Sequence, residues 1–328
     1  VSDAGPWDVD APYVARLREH GAVLLGKTTT PEFGWKGVTD SPLTGITRNP
    51  WDPTKTPGGS SGGAAVAAAA GMGALHQGSD GGGSIRMPAG YTGIYGIKPT
   101  FGRVPAFPLS PFGSVAHIGP MTRTVADSAL MLTVMSEPDA RDWYAIPYDG
   151  ADYRNALRPS VAGWRIAYSP DLGGATVQPE VAALVAKAVE VFRELGATVE
   201  EVESPIANSH DIFTVHWFSG AANLFTAFSE EQKALIDPGL VEVAETGAKY
   251  SLLEYFAAVK QREALGTAMN EFHETYDLLL TPTLPQPAFD AGLEVPAGSN
   301  MKRWTEWTPF SYPFNLTQQP AATIPCGQ

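Results

Sequence analysis

Apolar positions spaced three and four apart mark the helices of this chain. Val14 and Leu17 share a face between Ala11 and His20, and Gly21 suits a left-handed stop, which predicts a helix there. Ala22-Val23-Leu24-Leu25 then reads as a short buried strand. Residues 40 to 62 are rich in Pro, Gly, Thr and Ser and predict an ordered loop, followed by an alanine-rich helix from Ala64 to Ala70. Thr124 and Asp127 frame a capping-box-like start for a helix over Val125–Met135. The strongest stripe runs from Pro179 to Leu195, where Val181, Leu184, Val185, Ala188, Val191, Phe192 and Leu195 line one face and Gly196 ends it. Strands at Arg165–Tyr168 and Ala197–Val202 flank that helix. A helical stretch from Leu252 to Thr275 leads into a strand at Asp277–Leu280.

Helices alternating with short apolar strands argue for an α/β sheet with helices on its faces. Neither an internal repeat nor a low-complexity linker divides the chain, so one large domain is the natural reading. Of the 328 residues, 44% are hydrophobic and 17% charged, enough to bury a sizeable core. The net charge of -13 argues against a nucleic-acid partner or an anionic membrane surface, and no run of eighteen apolar residues predicts a spanning helix. A single cysteine, Cys326, excludes an intrachain disulfide and fits a reducing, cytoplasmic compartment. The opening Val1–Pro6 does not resemble a signal peptide.

The unusual chemistry lies between Pro57 and Arg86. Pro57-Gly58-Gly59-Ser60-Ser61-Gly62-Gly63 comes first. After the alanine-rich helix comes Gly78-Ser79-Asp80-Gly81-Gly82-Gly83-Ser84-Ile85-Arg86. Glycines at this density fit places where backbone must approach something closely or adopt positive φ. Three of them ahead of a serine can turn several N–H groups toward one point, as an oxyanion hole requires, and Asp80 and Arg86 could brace the loop by pairing. A flexible glycine-rich turn is the plainer alternative. A P-loop lacks its Lys-Ser/Thr, and a dinucleotide fingerprint lacks its preceding strand. Gly58-Gly59-Ser60-Ser61-Gly62 matches a Gly-x-Ser-x-Gly nucleophile elbow, but a proline-rich loop stands where the strand should be.

These segments resemble the amidase signature family. So do Gly26–Gly34, Asn49-Pro50-Trp51-Asp52, Gly96–Val104, Gly119-Pro120, Pro313-Phe314-Asn315 and Ile324–Gly327. The resemblance is most specific over residues 20–135. It implies a mixed β-sheet covered by helices on both faces and a Ser–cis-Ser–Lys triad. Ser84 matches the nucleophile and Ser60 the bridging serine after a cis peptide bond. Gly81, Gly82, Gly83 and Ser84 match the oxyanion donors, and Gly34 lies in the segment that lines the substrate pocket. Glu32–Trp35 and Phe107–Phe112 are the expected pocket wall, with aryl or other hydrophobic amides, or carbamates, as substrates. The triad lysine is expected before Val1, and the chain is expected to be incomplete at both ends of a domain covering residues 1–328. Lys27 and Lys98 are read as structural. Ala116 stands where an aspartate is expected.

Scattered histidines and the absence of His-Glu-x-x-His or Cys-x-x-Cys predict no metal and no cofactor. Trp217, Phe218, Phe225 and Phe228 are read as core. The reading is therefore an amidohydrolase working through a seryl acyl-enzyme on a small-molecule amide or carbamate, with room for a homodimer. Its alternatives are the amidase subunit of a glutamine-dependent amidotransferase, a catalytically incomplete relative, and a binding module that uses the glycine loops for anions. The helix around Tyr255–Glu263 lacks the Arg-Arg segment which the amidotransferase component usually carries.

Overall fold

A computed structural model describes residues 8–157 and 160–327. The opening Val1–Pro6, read as unlike a signal peptide, lies outside the described residues. In chain order the strands are β1 (Asp40–Ser41), β2 (Gly45–Ile46), β3 (His76–Asp80), β4 (Tyr95–Lys98), β5 (His117–Thr122), β6 (Arg165–Tyr168), β7 (Thr198–Glu201), β8 (Leu278–Leu280) and β9 (Ala321–Thr323). The helices are α1 (Pro12–Glu19), α2 (Gly62–Ala69), α3 (Arg86–Thr92), α4 (Val125–Met135), α5 (Pro179–Glu194), α6 (His210–Phe225), α7 (Glu230–Lys233), α8 (Pro238–Gly247), α9 (Leu252–Phe272) and α10 (Pro313–Leu316).

The strands form an antiparallel sheet in the order β3-β5-β4-β9, a parallel sheet in the order β7-β6-β8, and the β1–β2 pair. The mixed α/β architecture read from the sequence is thus present, its antiparallel and parallel parts standing as separate sheets. Two segments that carry the serine clusters leave this framework next to α2 and α3. β3 runs directly into the triple-glycine loop and α3, while the loop before α2 carries the first serine cluster.

The predicted helices at 11–20, 64–70, 125–135, 179–195 and 252–275 all form, within a few residues at each end. Thr124 caps α4 by accepting the Asp127 N–H, as its spacing predicts. The strand expected at Ala22–Leu25 is a correction. These residues form no strand, and Val23 and Leu25 are 82% and 79% exposed, because no described strand lies alongside to take up their N–H and C=O groups. The apolar stripe of α5 is only half covered: Val185 and Val189 are buried, while Val191, Phe192 and Leu195 face a groove shared with β8 and β9.

The main core gathers Trp35, Phe213, Trp217, Leu240, Trp304 and Trp307 between α6, α8 and the segment 304–316. α6 and α8 approach so closely at Gly247 that an added Cβ would fall 1.9 Å from the Phe218 carbonyl oxygen. Gly247→Ala is therefore expected to destabilise the fold by about 2 kcal/mol or more, since neither backbone can withdraw without disturbing the core. Urea unfolding measures this, and an unchanged midpoint would contradict the packing described.

Candidate active site

Thr39 organises the first serine segment. Its Oγ1 donates to the Gly58 carbonyl at 2.8 Å and accepts the Gly62 N–H at 3.1 Å. No larger residue fits at Gly59, where a Cβ would fall 2.5 Å from the Val38 backbone. The Gly59–Ser60 peptide bond is cis, as the resemblance implies. The second segment is tied to the first by Ser61, whose N–H donates to the Ser84 carbonyl at 3.1 Å and whose Oγ bridges the Ser79 backbone at 3.2 Å. These bonds bring Ser60 and Ser84 to one cavity, together with Gly34 and Gly81.

The triple-glycine loop folds around Asp80. Its carboxylate accepts the N–H groups of Gly83 at 2.7 Å and Ile85 at 3.2 Å, and pairs with Arg86 through Nε and Nη2, both at 2.9 Å. The bracing pair read from the sequence is thus formed. It has a third member that the sequence did not reveal. Asn315 donates to Asp80 Oδ1 at 2.9 Å and to the Asp80 carbonyl at 2.8 Å, and accepts from Arg86 Nη2 at 2.6 Å. Ser311 adds a bond from its Oγ to the Gly82 carbonyl at 2.6 Å. Burial alone would raise the Asp80 pKa, but the adjoining Arg86 charge, with its hydrogen bonds and that of Asn315, outweighs it and holds the carboxyl well below the usual range.

The glycines are enclosed as tightly as they are bonded. A Cβ at Gly81 would meet Trp217 at 2.7 Å, and one at Gly82 would meet Phe213 and Trp304 at 2.7 Å. Gly83 has φ +126° and would meet Ser311 at 2.4 Å, so the loop admits no side chain at any of the three positions. Among the described residues, the N–H groups of Gly81, Gly82 and Ser84 have no acceptor in the chain. That of Gly83, expected as a further donor, is already given to Asp80.

The two serines are each 3% exposed and line a cavity of about 270 Å³. Their hydroxyls are not bonded to each other in this structure, although the relay reading expects it. Gly34, in the left-handed region at φ +67°, sits so close that an added Cβ would be 3.2 Å from Ser60 Oγ. Phe33, Phe101, Phe112, Tyr144 and Trp217 supply aromatic walls, with Pro108, Leu109 and Ala116 among the further apolar lining residues. Part of the expected wall is corrected. Trp35 is fully buried in the core, its carbonyl accepting the Trp217 indole N–H, and Phe107 turns outward under the Arg141 guanidinium. Trp217, read as core, is both: it stacks on Phe112 at 3.8 Å and lines the cavity.

Lys98 is fully buried and donates to the Pro99 and Gln319 carbonyls. Desolvation, then the nearby Arg86 charge, push its pKa well down. Its described bonds thus go to backbone rather than to either serine. His76 donates from Nε2 to the Met72 carbonyl at 3.1 Å, consistent with a hydrogen-bonded position in the sheet. No group of three or more potential metal ligands occurs among the described residues, and no helix there is long and apolar enough to cross a membrane.

The chain matches the family model described as Amidase over residues 4–328. It is 38% identical over 325 residues to an acylamidase of Rhodococcus erythropolis, which aligns with 97% of this chain and 68% of that protein. It is 35% identical over 348 residues to a component of the glutamyl-tRNA(Gln) amidotransferase of Pediococcus pentosaceus, covering 97% of this chain and 70% of that one. Among solved structures, a bacterial aryl acylamidase of the amidase signature enzymes superposes with a TM-score of 0.91 at 32% identity, covering 99% of this chain and 71% of the other.

Removing Arg86 would strand the Asp80 carboxylate in the core. Arg86→Met is expected to cost about 3–5 kcal/mol of stability. The pH dependence follows from the sign of the shift. A depressed carboxyl pKa gives stability that is full above the unfolded value, roughly 4, and is lost as pH falls through the folded value. Without Arg86 the folded pKa rises, so acid unfolding of the variant should begin at higher pH than in the parent. Acid titration followed by circular dichroism tests this. Coincident acid transitions would contradict it.

Proposed function

The chain belongs to the amidase signature family and is a hydrolase of amide carbon–nitrogen bonds, and from that premise we propose that Ser84 is its nucleophile, Ser60 its proton relay and an aryl or otherwise hydrophobic amide its substrate. The observation that carries the reading is the meeting of both serines with Gly81, at the start of the donor loop, at one largely apolar cavity.

In this reading Ser84 Oγ attacks the substrate carbonyl carbon. Its proton passes to Ser60 Oγ as Ser60 gives up its own to the lysine base that the resemblance implies. The carbonyl oxygen gains negative charge and is met by the N–H groups of Gly81, Gly82 and Ser84, which have no competing acceptor to release. Collapse breaks the carbon–nitrogen bond, the proton returns to the leaving amine, and water then cleaves the ester at Ser84. Gly83 supports this machinery indirectly, by fixing the loop to Asp80.

The aromatic rings of Phe33, Phe101, Phe112, Tyr144 and Trp217 around the cavity support an aryl preference, and carbamates present the same carbonyl to the same groups. The free-standing enzyme is favoured over an amidotransferase component by the helix at Tyr255–Glu263. There Arg262 is spent on the Leu316 carbonyl and on Ser114, at 2.7 and 2.8 Å. Glutamine hydrolysis without aryl-amide hydrolysis would reverse that preference.

Two outcomes are expected. Ser84→Ala should lower kcat by about three orders of magnitude or more, because nucleophile and relay act as a unit, and near-normal turnover would overturn the assignment. Burial of one substrate ring contributes roughly 2 kcal/mol, so kcat/KM for an anilide should exceed that for acetamide by about thirtyfold. A preference for acetamide would end the aryl reading.

A further inference from the structure

One wall of the cavity lies apart from the Ser60–Ser84 pair and the donor loop, and the Asp142 carboxylate helps to fasten it. Asp142 is 7% exposed and lines the cavity beside Tyr144. Its oxygens go to two different segments. Oδ2 accepts the Ala106 N–H at 2.9 Å, at the start of the wall that continues through Pro108 and Leu109 to Phe112. Oδ1 accepts the Tyr144 N–H at 2.8 Å, within its own turn. Neighbouring Arg141 pairs with Asp139 instead and lies over the Phe107 ring.

The turn at 139–146 grips the same wall elsewhere. Ile146 N–H donates to the Gly102 carbonyl at 3.0 Å, and the Tyr144 ring meets Phe101 edge-on at 5.3 Å. Gly102, at φ +77°, lies so near that a Cβ would fall 2.4 Å from the Tyr144 carbonyl oxygen. These contacts fix the base of the wall. From this turn the descending part is held by the Asp142–Ala106 hydrogen bond and, at its outer side, by Arg141 over the Phe107 ring.

A buried carboxylate loses its hydration and keeps its place only where strong hydrogen bonds replace it. Two charge-assisted bonds to backbone N–H groups do so here, and they make the link stiff, since moving Ala106 would leave a charge unsatisfied. We propose that Asp142 is a positioning residue that sets the distance between the 106–112 wall and the serine pair, and thereby the size of substrate the cavity accepts. It touches no reacting atom; its effect passes through Ala106. The inference rests on the aryl-amide reading for its substrate but not for the link itself.

The test compares Asp142→Ala and the milder Asp142→Asn with the parent enzyme by hydrogen–deuterium exchange across residues 104–112, and by kinetics on acetanilide and acetamide. Exchange should quicken in that segment. KM for acetanilide should rise about tenfold with kcat changed less than about threefold, and kcat/KM for acetamide should hardly move. Asn keeps one acceptor oxygen and should fall between. Unchanged exchange would overturn the proposal, as would an equal loss on both substrates, which marks a merely structural role. If Asp142→Ala does not fold, Asp142→Asn carries both readouts. A parent enzyme that cleaves neither amide defeats the functional reading instead, and the exchange measurement then decides the positioning claim by itself.

Discussion

The Asp80 carboxylate lies in the core and stays ionised there because the Arg86 guanidinium, the Asn315 amide and backbone N–H groups of the following loop surround it. An isolated charge at that depth would be prohibitive, and a network satisfied on every side is rigid for the same reason. The loop from Gly81 to Ser84 inherits that rigidity. Its position is dictated from behind by the Asp80–Arg86–Asn315 network, so Gly81 and Ser84 are held at the cavity in one fixed arrangement. Donors fixed in advance of the reaction are what stabilises a developing oxyanion most effectively.

Sterics reinforce the electrostatics. The loop is pressed between Trp217, Phe213, Trp304 and Ser311, so closely that glycine alone fits at its three positions. The same aromatic cluster forms the main core and, through Trp217 and Phe112, the wall of the cavity. Core packing and the cavity wall therefore share side chains. A change made to enlarge the cavity at Trp217 would also loosen the backing of Gly81.

Much of this was legible because it is local. The helices showed their 3.6-residue period, and the glycine–serine clusters lie within thirty positions of each other in sequence. The pairing of Asp80 with Arg86 follows from their spacing across one turn. Other parts left no local signal. β3 is His76-Gln77-Gly78-Ser79-Asp80, with no apolar alternation, because it is held by pairing with β5 and by the buried polar cluster at its end. α6 is buried at positions around much of its circumference and so shows no single stripe, though Trp217, Phe218 and Phe225 were legible as core and Phe213 was not. Asn315 is 235 positions from Asp80, a contact that no reading of spacing reaches. Ala22–Leu25 misled in the opposite sense: an apolar run carries strand propensity, but propensity without a paired neighbour makes no strand.

The central claim is that this buried network presents Ser84, and no other hydroxyl, to the substrate carbonyl. Trapping the covalent intermediate tests it most directly. The protein is incubated with an activated aryl ester or carbamate, quenched in acid, digested and mapped by mass spectrometry. The account predicts one acyl group, on the peptide carrying Ser84, and its absence from that peptide when Arg86 is replaced. Acylation of Ser60, Ser61 or Ser79 with Ser84 unmodified would contradict it.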